Sequence, residues 1–164
     1  MRARYPGRDS LAAVTPDERF AELAIELPTS PPQSFTPRLK RVVVHDGLAY
    51  LSGDGDLGCI GRVGDDIDVE RAALAARTTA HLMCRSLRKE LGSLDRVDRW
   101  LKVLCLVRSA PGFTETPVVA NGFTNAIVEL WGEERGLCAR SAIGVAELPA
   151  GMAVEVEALV ALAD

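Results

Sequence analysis

Arg140 heads the run Arg140-Ser141-Ala142-Ile143-Gly144-Val145-Ala146-Glu147-Leu148-Pro149, and Val154-Glu155-Val156-Glu157-Ala158 follows close behind. As a strand, the first run sets a permanent guanidinium on a face whose other members, Ala142, Gly144 and Ala146, are small. A charge beside such an open shelf suits a planar carboxylate, which arginine grips through two parallel N–H donors. Glu155 and Glu157, two residues apart, share one strand face and could complete a ligand site with Arg140. The competing reading gives each glutamate a lysine or arginine at a rim and gives Arg140 an intersubunit salt bridge. Spacing alone leaves both open.

Other candidate motifs are weaker. Gly53-Asp54-Gly55-Asp56-Leu57-Gly58 has the form GxGxxG after a strand. A dinucleotide site needs a helix opening within the motif, whereas Gly61 and Gly64 continue the interruption and two aspartates would repel phosphates. As a calcium loop it fails where Gly58 and Cys59 occupy ligand and glycine positions. His45 and His81 lie in different elements, the first in a hairpin turn and the second expected on a helix's polar side. No serine sits in a GxSxG elbow. No metal site is read from these residues.

The elements that must carry these residues follow from pattern. Residues 1–14 read as a flexible N-terminus, and 15–164 as a single domain whose first part, 15–38, is a short helix and a Pro-rich linker. Thr15-Pro16-Asp17-Glu18 is a capping box that opens the helix, with Phe20, Leu23 and Ala24 on one face and an end near Leu27. Residues 41–44 and 48–52 form a hairpin turning at Asp46-Gly47. Residues 68–91 carry Val69, Ala72, Ala76, Ala80, Met83 and Leu87 at helical spacing, with Gly92 as the stop. Arg99 to Val107 reads as a central strand, and 119–131 as a second helix. Two strands, about 137–147 and 153–162, close the chain as a hairpin around Pro149-Ala150-Gly151. One sheet with both long helices on a single face is the economical packing. The uncovered face would then carry Arg140, Ala142, Gly144, Glu155, Glu157 and Leu159, a mixture that a second copy would cover.

The net charge of −4 gives no general attraction for phosphate backbones, so nucleic acid is not expected as a partner. No apolar run approaches the roughly 20 residues of a membrane helix. The start lacks an apolar signal region, and Cys59, Cys84, Cys105 and Cys138 form no CxxC pair. A reduced, cytoplasmic protein with cysteines as core fillers is expected.

From about residue 20 onward the chain resembles the Rid/YjgF family of reactive-intermediate (enamine/imine) deaminases, also labelled endoribonuclease L-PSP. The resemblance rests on Leu51-Ser52-Gly53, Gly61-Arg62-Val63-Gly64, Leu91-Gly92-Ser93-Leu94-Asp95-Arg96-Val97, Pro111-Gly112-Phe113, Val119-Ala120-Asn121-Gly122, and the two C-terminal runs quoted above. It implies an α+β, chorismate-mutase-like subunit with a mixed sheet of six-stranded type, assembled as a homotrimer with clefts between subunits. It implies hydrolysis of 2-iminoacids to 2-ketoacids and ammonia, with Arg140 gripping the carboxylate and Glu155 orienting water. Ser52, Gly53 and Asn121 would line the cleft, and no cofactor is implied.

Three departures bear on activity: Phe35 stands where a tyrosine is typical, Ala142 where cysteine is frequent, and Asp54 where glutamine is common. Within reach of Arg140, Asp54 would pair with it and compete with a carboxylate ligand. These departures also suit a family member repurposed for another imine or cyclisation intermediate, while a retained Arg140 with an ineffective Glu155 would suit a trimer that binds a metabolite without turnover. A ribonuclease ranks last, given the acidic balance and for want of a basic stripe and a clear acid–base histidine.

Overall fold

The computed structural model describes residues 14–23, 26–27 and 38–163. Residues 1–13 of the N-terminus expected to be flexible, most of the Pro-rich linker, Ala24 and Phe35 lie outside the described residues. Helix α1 (Pro16–Glu22) is capped as its sequence dictates: Thr15 Oγ1 accepts the Glu18 N–H at 3.2 Å and Glu18 accepts the Thr15 N–H at 2.8 Å. It ends at Glu22, short of the expected Leu27. Asp17 clips it down by accepting from the Leu94 N–H and Arg88, while Arg19 donates to the Leu130 carbonyl at 2.9 Å.

Strands β1 (Val42–His45) and β2 (Leu48–Asp54) form the expected hairpin. Asp46 and Gly47 both take positive φ, 48° and 73°, which matches the turn to the twist of the strands. Helix α2 (Val69–Leu91) starts at Asp68, whose carboxylate accepts the Arg71 N–H, and stops at left-handed Gly92. Then come β3 (Val97–Arg108), α3 (Thr116–Gly136, broken at Gly132), β4 (Ala139–Val145) and β5 (Val154–Leu162).

The sheet order is β1-β2-β5-β3-β4. Strand β5 occupies the middle, antiparallel to β2 and β3, and β4 runs parallel to β3. This corrects two expectations. The last two strands are not a hairpin: β3 lies between them. A parallel neighbour must be reached through a long crossover, which α3 supplies, so β4 settles outside β3 and the chain passes the end of β3 to return as β5. The described residues form five strands, the number in the sequence pattern, rather than the six-stranded type. Strand β3 is internal, but the middle position belongs to β5.

Both long helices cover one face, as expected. Val103, Cys105, Val107, Val154, Val156 and Val160 point into that layer and are buried. Trp100 packs edge-on against Phe123 and Trp131, with ring centroids 5.6 Å apart in each pair. The four cysteines are free, and Cys59, Cys84 and Cys105 are buried in the core. His81 corrects another expectation: it is buried, not on a polar side, and its ring lies 6.3 Å from that of Phe20 in α1.

Cross-strand register decides which side chains share a face. Glu155 pairs with Leu106, Glu157 with Leu104, and Leu159 with Lys102 and Tyr50, all on the uncovered face. Arg140 pairs instead with buried Val103, Ala142 with Cys105, and Gly144 with Val107. The expected shared face is therefore split: the arginine run faces the helix layer and the glutamates face away from it.

Helices α2 and α3 approach closely at Gly122, where an added Cβ would run into the Ala73 backbone carbonyl. Backbone cannot swing aside as a flexible side chain can. Gly122→Ala should therefore cost about 1–3 kcal/mol of unfolding free energy, read as a lower denaturant midpoint. An unchanged midpoint would contradict this packing.

Candidate functional site

The sequence-derived site residues gather in two groups at different places on the sheet. The first is built where β4 meets α3. Arg140 Nη1 donates to Asn121 Oδ1 at 3.1 Å and Thr124 Oγ1 at 2.7 Å, and Nη2 donates to the Pro117 carbonyl at 3.3 Å. Asn121 and Thr124 stand three residues apart on α3, hence on one face of the helix. Strand β4 supplies the guanidinium and α3 holds its orientation. The small residues beyond it have a packing reason, since a Cβ on Gly144 would meet Ser109 Oγ at 2.5 Å. Ala142 lies beside this group, and its carbonyl accepts from Thr116 Oγ1 at 3.2 Å. Burial pushes the nearby Cys105 thiol up to about 12, so it stays protonated at neutral pH despite Arg140.

The second group is built where β2 meets β5. The register between these strands shifts between Leu51 and Asp54. Ser52 Oγ donates to the Lys40 carbonyl at 2.7 Å and its N–H to the Arg41 carbonyl at 3.0 Å. Glu155 lies directly on Gly53: a Cβ there would collide with the carboxylate. The bare backbone of Gly53 thus forms the floor under Glu155, and a side chain there would push the carboxylate aside. Arg41 Nη1 donates to the Gly53 carbonyl at 3.1 Å and pairs with Asp54 at 3.3 Å.

Both carboxylates of this group hold their protons more tightly than usual. For Glu155 the main cause is burial, followed by the negative charges of Asp54 and Glu157, with Arg41 opposing. For Asp54 burial again dominates, opposed by Arg41, the Gly55 N–H and Arg85.

Within one chain Arg140 and Glu155 do not meet. They sit on strands separated by β3 and point to opposite faces of the sheet. Nor does Asp54 pair with Arg140: its partner is Arg41, which precedes β1. Sequence reasoning missed Arg41 and Thr124. The i, i+3 spacing from Asn121 could have revealed Thr124, whereas Arg41 carried no motif.

Residues 53–58 end β2 and lead into a turn, not a phosphate cradle. Gly58 N–H donates to the Asp56 carboxylate at 2.8 Å, and the next helix begins only at Val69. Further along that loop, Arg62 joins Arg108 on Glu147, each donating at 2.7 Å, and this ties the loop to the β4–β5 connection. His45 is exposed beside Asp46. Among the described residues no cluster of three or more His, Cys, Asp or Glu could hold a metal ion. No described helix is long and apolar enough to cross a membrane.

No family model matches the sequence. Protein TCP17 of Trypanosoma cruzi is 46% identical over 106 residues, which are 64% of this chain and 66% of TCP17, just under two thirds of that protein. Among solved structures, Atu1372 of Agrobacterium tumefaciens, a protein of unknown function, matches with a TM-score of 0.78 and 31% identity. That match covers 90% of this chain and 92% of Atu1372. A putative endoribonuclease of Shewanella oneidensis matches with a TM-score of 0.80 and 20% identity, over 90% of this chain and 99% of its own. YyfA of Yersinia pestis, from the Rid protein family, matches with a TM-score of 0.54 and 18% identity, over 83% and 97%.

The fold is thus that of the Rid/YjgF (endoribonuclease L-PSP) proteins, as the strand and loop motifs implied. The chain belongs to one family with Atu1372, a family of Rid/YjgF fold.

The raised pKa of Glu155 has a consequence for stability. A carboxyl that titrates higher in the folded state takes up more protons there than in the unfolded chain, so stability falls as pH rises through the window above about 4.5. Glu155→Gln, which keeps the shape without the charge, should raise the melting temperature at pH 7. The gain should shrink as pH is lowered through 4.5. A variant less stable than wild type at pH 7 would contradict this environment for Glu155.

Proposed function

We propose that the protein hydrolyses 2-iminoacids to 2-ketoacids and ammonia in clefts formed between the copies of a homotrimer. The observation that carries this reading is the separation of the two groups of site residues. One copy offers a pre-oriented arginine at its β4 edge. The glycine-floored glutamate sits on its uncovered face, which also carries exposed Tyr50 and partly buried Leu104 and Leu159. Head-to-tail contact in a closed ring joins unlike surfaces of neighbouring copies, and such a contact would set Arg140 of one copy against Glu155 of the next.

In that cleft Arg140, held by Asn121, Thr124 and the Pro117 carbonyl, grips the substrate carboxylate and fixes the imine carbon over Gly53. Ser52, Gly53 and Ala142 leave the room. Glu155 orients a water and takes its proton as the oxygen bonds to the imine carbon. The raised pKa brings its proton affinity nearer to the working pH, as suits a general base. Glu155 passes that proton to the former imine nitrogen, giving a neutral carbinolamine. It then takes the hydroxyl proton and delivers it to the same nitrogen as the C–N bond breaks, which releases ammonia and leaves the ketone. The imine is already electrophilic, so positioning supplies much of the acceleration. Asp54, neutralised by Arg41, leaves the carboxylate clamp uncontested.

The test is hydrolysis of 2-iminoacids generated in situ by an amino-acid oxidase, with semicarbazide trapping the imine that escapes. Wild type should suppress trapping. Arg140→Ala and Glu155→Gln should each lose about 100-fold or more of that activity. Undiminished trapping with folded, assembled wild type would overturn the reading, as would full activity in either variant.

A further inference from the structure

On the helix side of the sheet, at the β1 edge, lies a hollow of about 580 Å³ between the second half of α2 and the segment leading into β1. Its floor is apolar, made of buried Val42 and Leu82, and Ser86 adds a hydroxyl. Four cations surround it: Lys40 and Arg41 from one wall, Arg85 and Lys89 from the other. Two carboxylates also line it, Asp54 and Glu90. Arg41 pairs with Asp54 at 3.3 Å, and Arg85 acts on the same carboxylate from farther away. Lys40, Arg85 and Lys89 form no ion pair among the described residues.

This arrangement needs a reason in a chain whose net charge is −4. Arg85 and Lys89 are four apart on one helix, a like-charge spacing that is unfavourable without a counter-anion. The helix dipole favours Lys89 near the C-terminal end of α2, but it does not account for two further cations converging from a different element. A concave site lined by one sign of charge focuses its field on a ligand of the other sign. The volume is far greater than one inorganic anion needs and falls in the range of small-molecule pockets, roughly 300–1,000 Å³.

We propose that this hollow binds a soluble phosphorylated small molecule. Arg85, Lys89 and Lys40 hold the phosphate, Ser86 donates to it or to a neighbouring hydroxyl, and the carbon skeleton lies on Val42 and Leu82. The surplus of two positive charges among the lining side chains matches a phosphate dianion, and arginine's fork suits its oxygens. The hollow borders the Glu155 group through Arg41 and Asp54, but neither Arg140 nor Glu155 lines it.

The experiment is calorimetric titration of the full-length protein with glucose 6-phosphate at low ionic strength, with glucose as the uncharged comparison. Glucose 6-phosphate should bind saturably, one per chain, and glucose should give no binding heat. The double variant Arg85→Gln/Lys89→Gln should weaken binding about tenfold or more, and Lys40→Gln on the opposite wall should weaken it independently. Arg96→Gln, which removes an exposed cation elsewhere, should stay within about twofold of wild type. Circular dichroism of each variant secures the fold. No saturable binding, equal binding of glucose, or equal loss in Arg96→Gln would overturn the proposal, as would undiminished affinity in the hollow's own variants.

Discussion

The constraint on which this architecture depends is the parallel pairing of β4 with β3. A parallel neighbour cannot be reached by a tight turn, so α3 must carry the chain back along the sheet before β4 can form. That requirement sets β4 outside β3 and brings α3 against it, where Asn121, Thr124 and the Pro117 carbonyl hold Arg140. It also leaves the middle of the sheet to β5, two strands away from β4, with Glu155 on the opposite face. One topological requirement both orients the arginine and separates it from the glutamate.

A second contact fixes the other group. Glu155 rests on Gly53, so any side chain at that position would displace the carboxylate. The partial burial that follows, with Asp54 and Glu157 nearby, raises the proton affinity of Glu155. The cost of holding a half-buried carboxylate beside other acids falls on stability, and the gain lies in its readiness to accept a proton. Arg41 moderates this by pairing with Asp54. The substitution of aspartate after the Ser52-Gly53 pair is accommodated locally and does not reach the arginine group.

Much of the fold could be read from the sequence because local chemistry and tertiary role agree. The Thr15 capping box, the Asp46-Gly47 turn, the alanine-rich stripe of α2 and the Gly92 stop all do what their residue types dictate. What misled was strand pairing. Two strands joined by a short connection ordinarily form a hairpin, and nothing within residues 137–162 reveals that β3 inserts between them. The same error put Arg140 on the face of Glu155, since alternation gives the period but not which side is covered. His81 escaped because a ring that packs beside it, Phe20, lies 61 positions earlier in the chain. Of the candidate residues, Arg140 meets Asn121 and Glu155 lies on Gly53, as their types allow. Their partners Thr124 and Arg41 emerge only from tertiary contact.

The central claim is that a working site takes its arginine from one copy and its glutamate from another. Subunit complementation tests it most directly. Arg140→Ala and Glu155→Gln chains, each inactive alone, are unfolded, mixed in equal amounts and refolded together, and imine hydrolysis is measured. Random assembly should return about a quarter of wild-type sites, because each restored cleft draws Arg140 from one variant and Glu155 from the other. Mixed oligomers that form but remain as inactive as the separate variants would contradict the account.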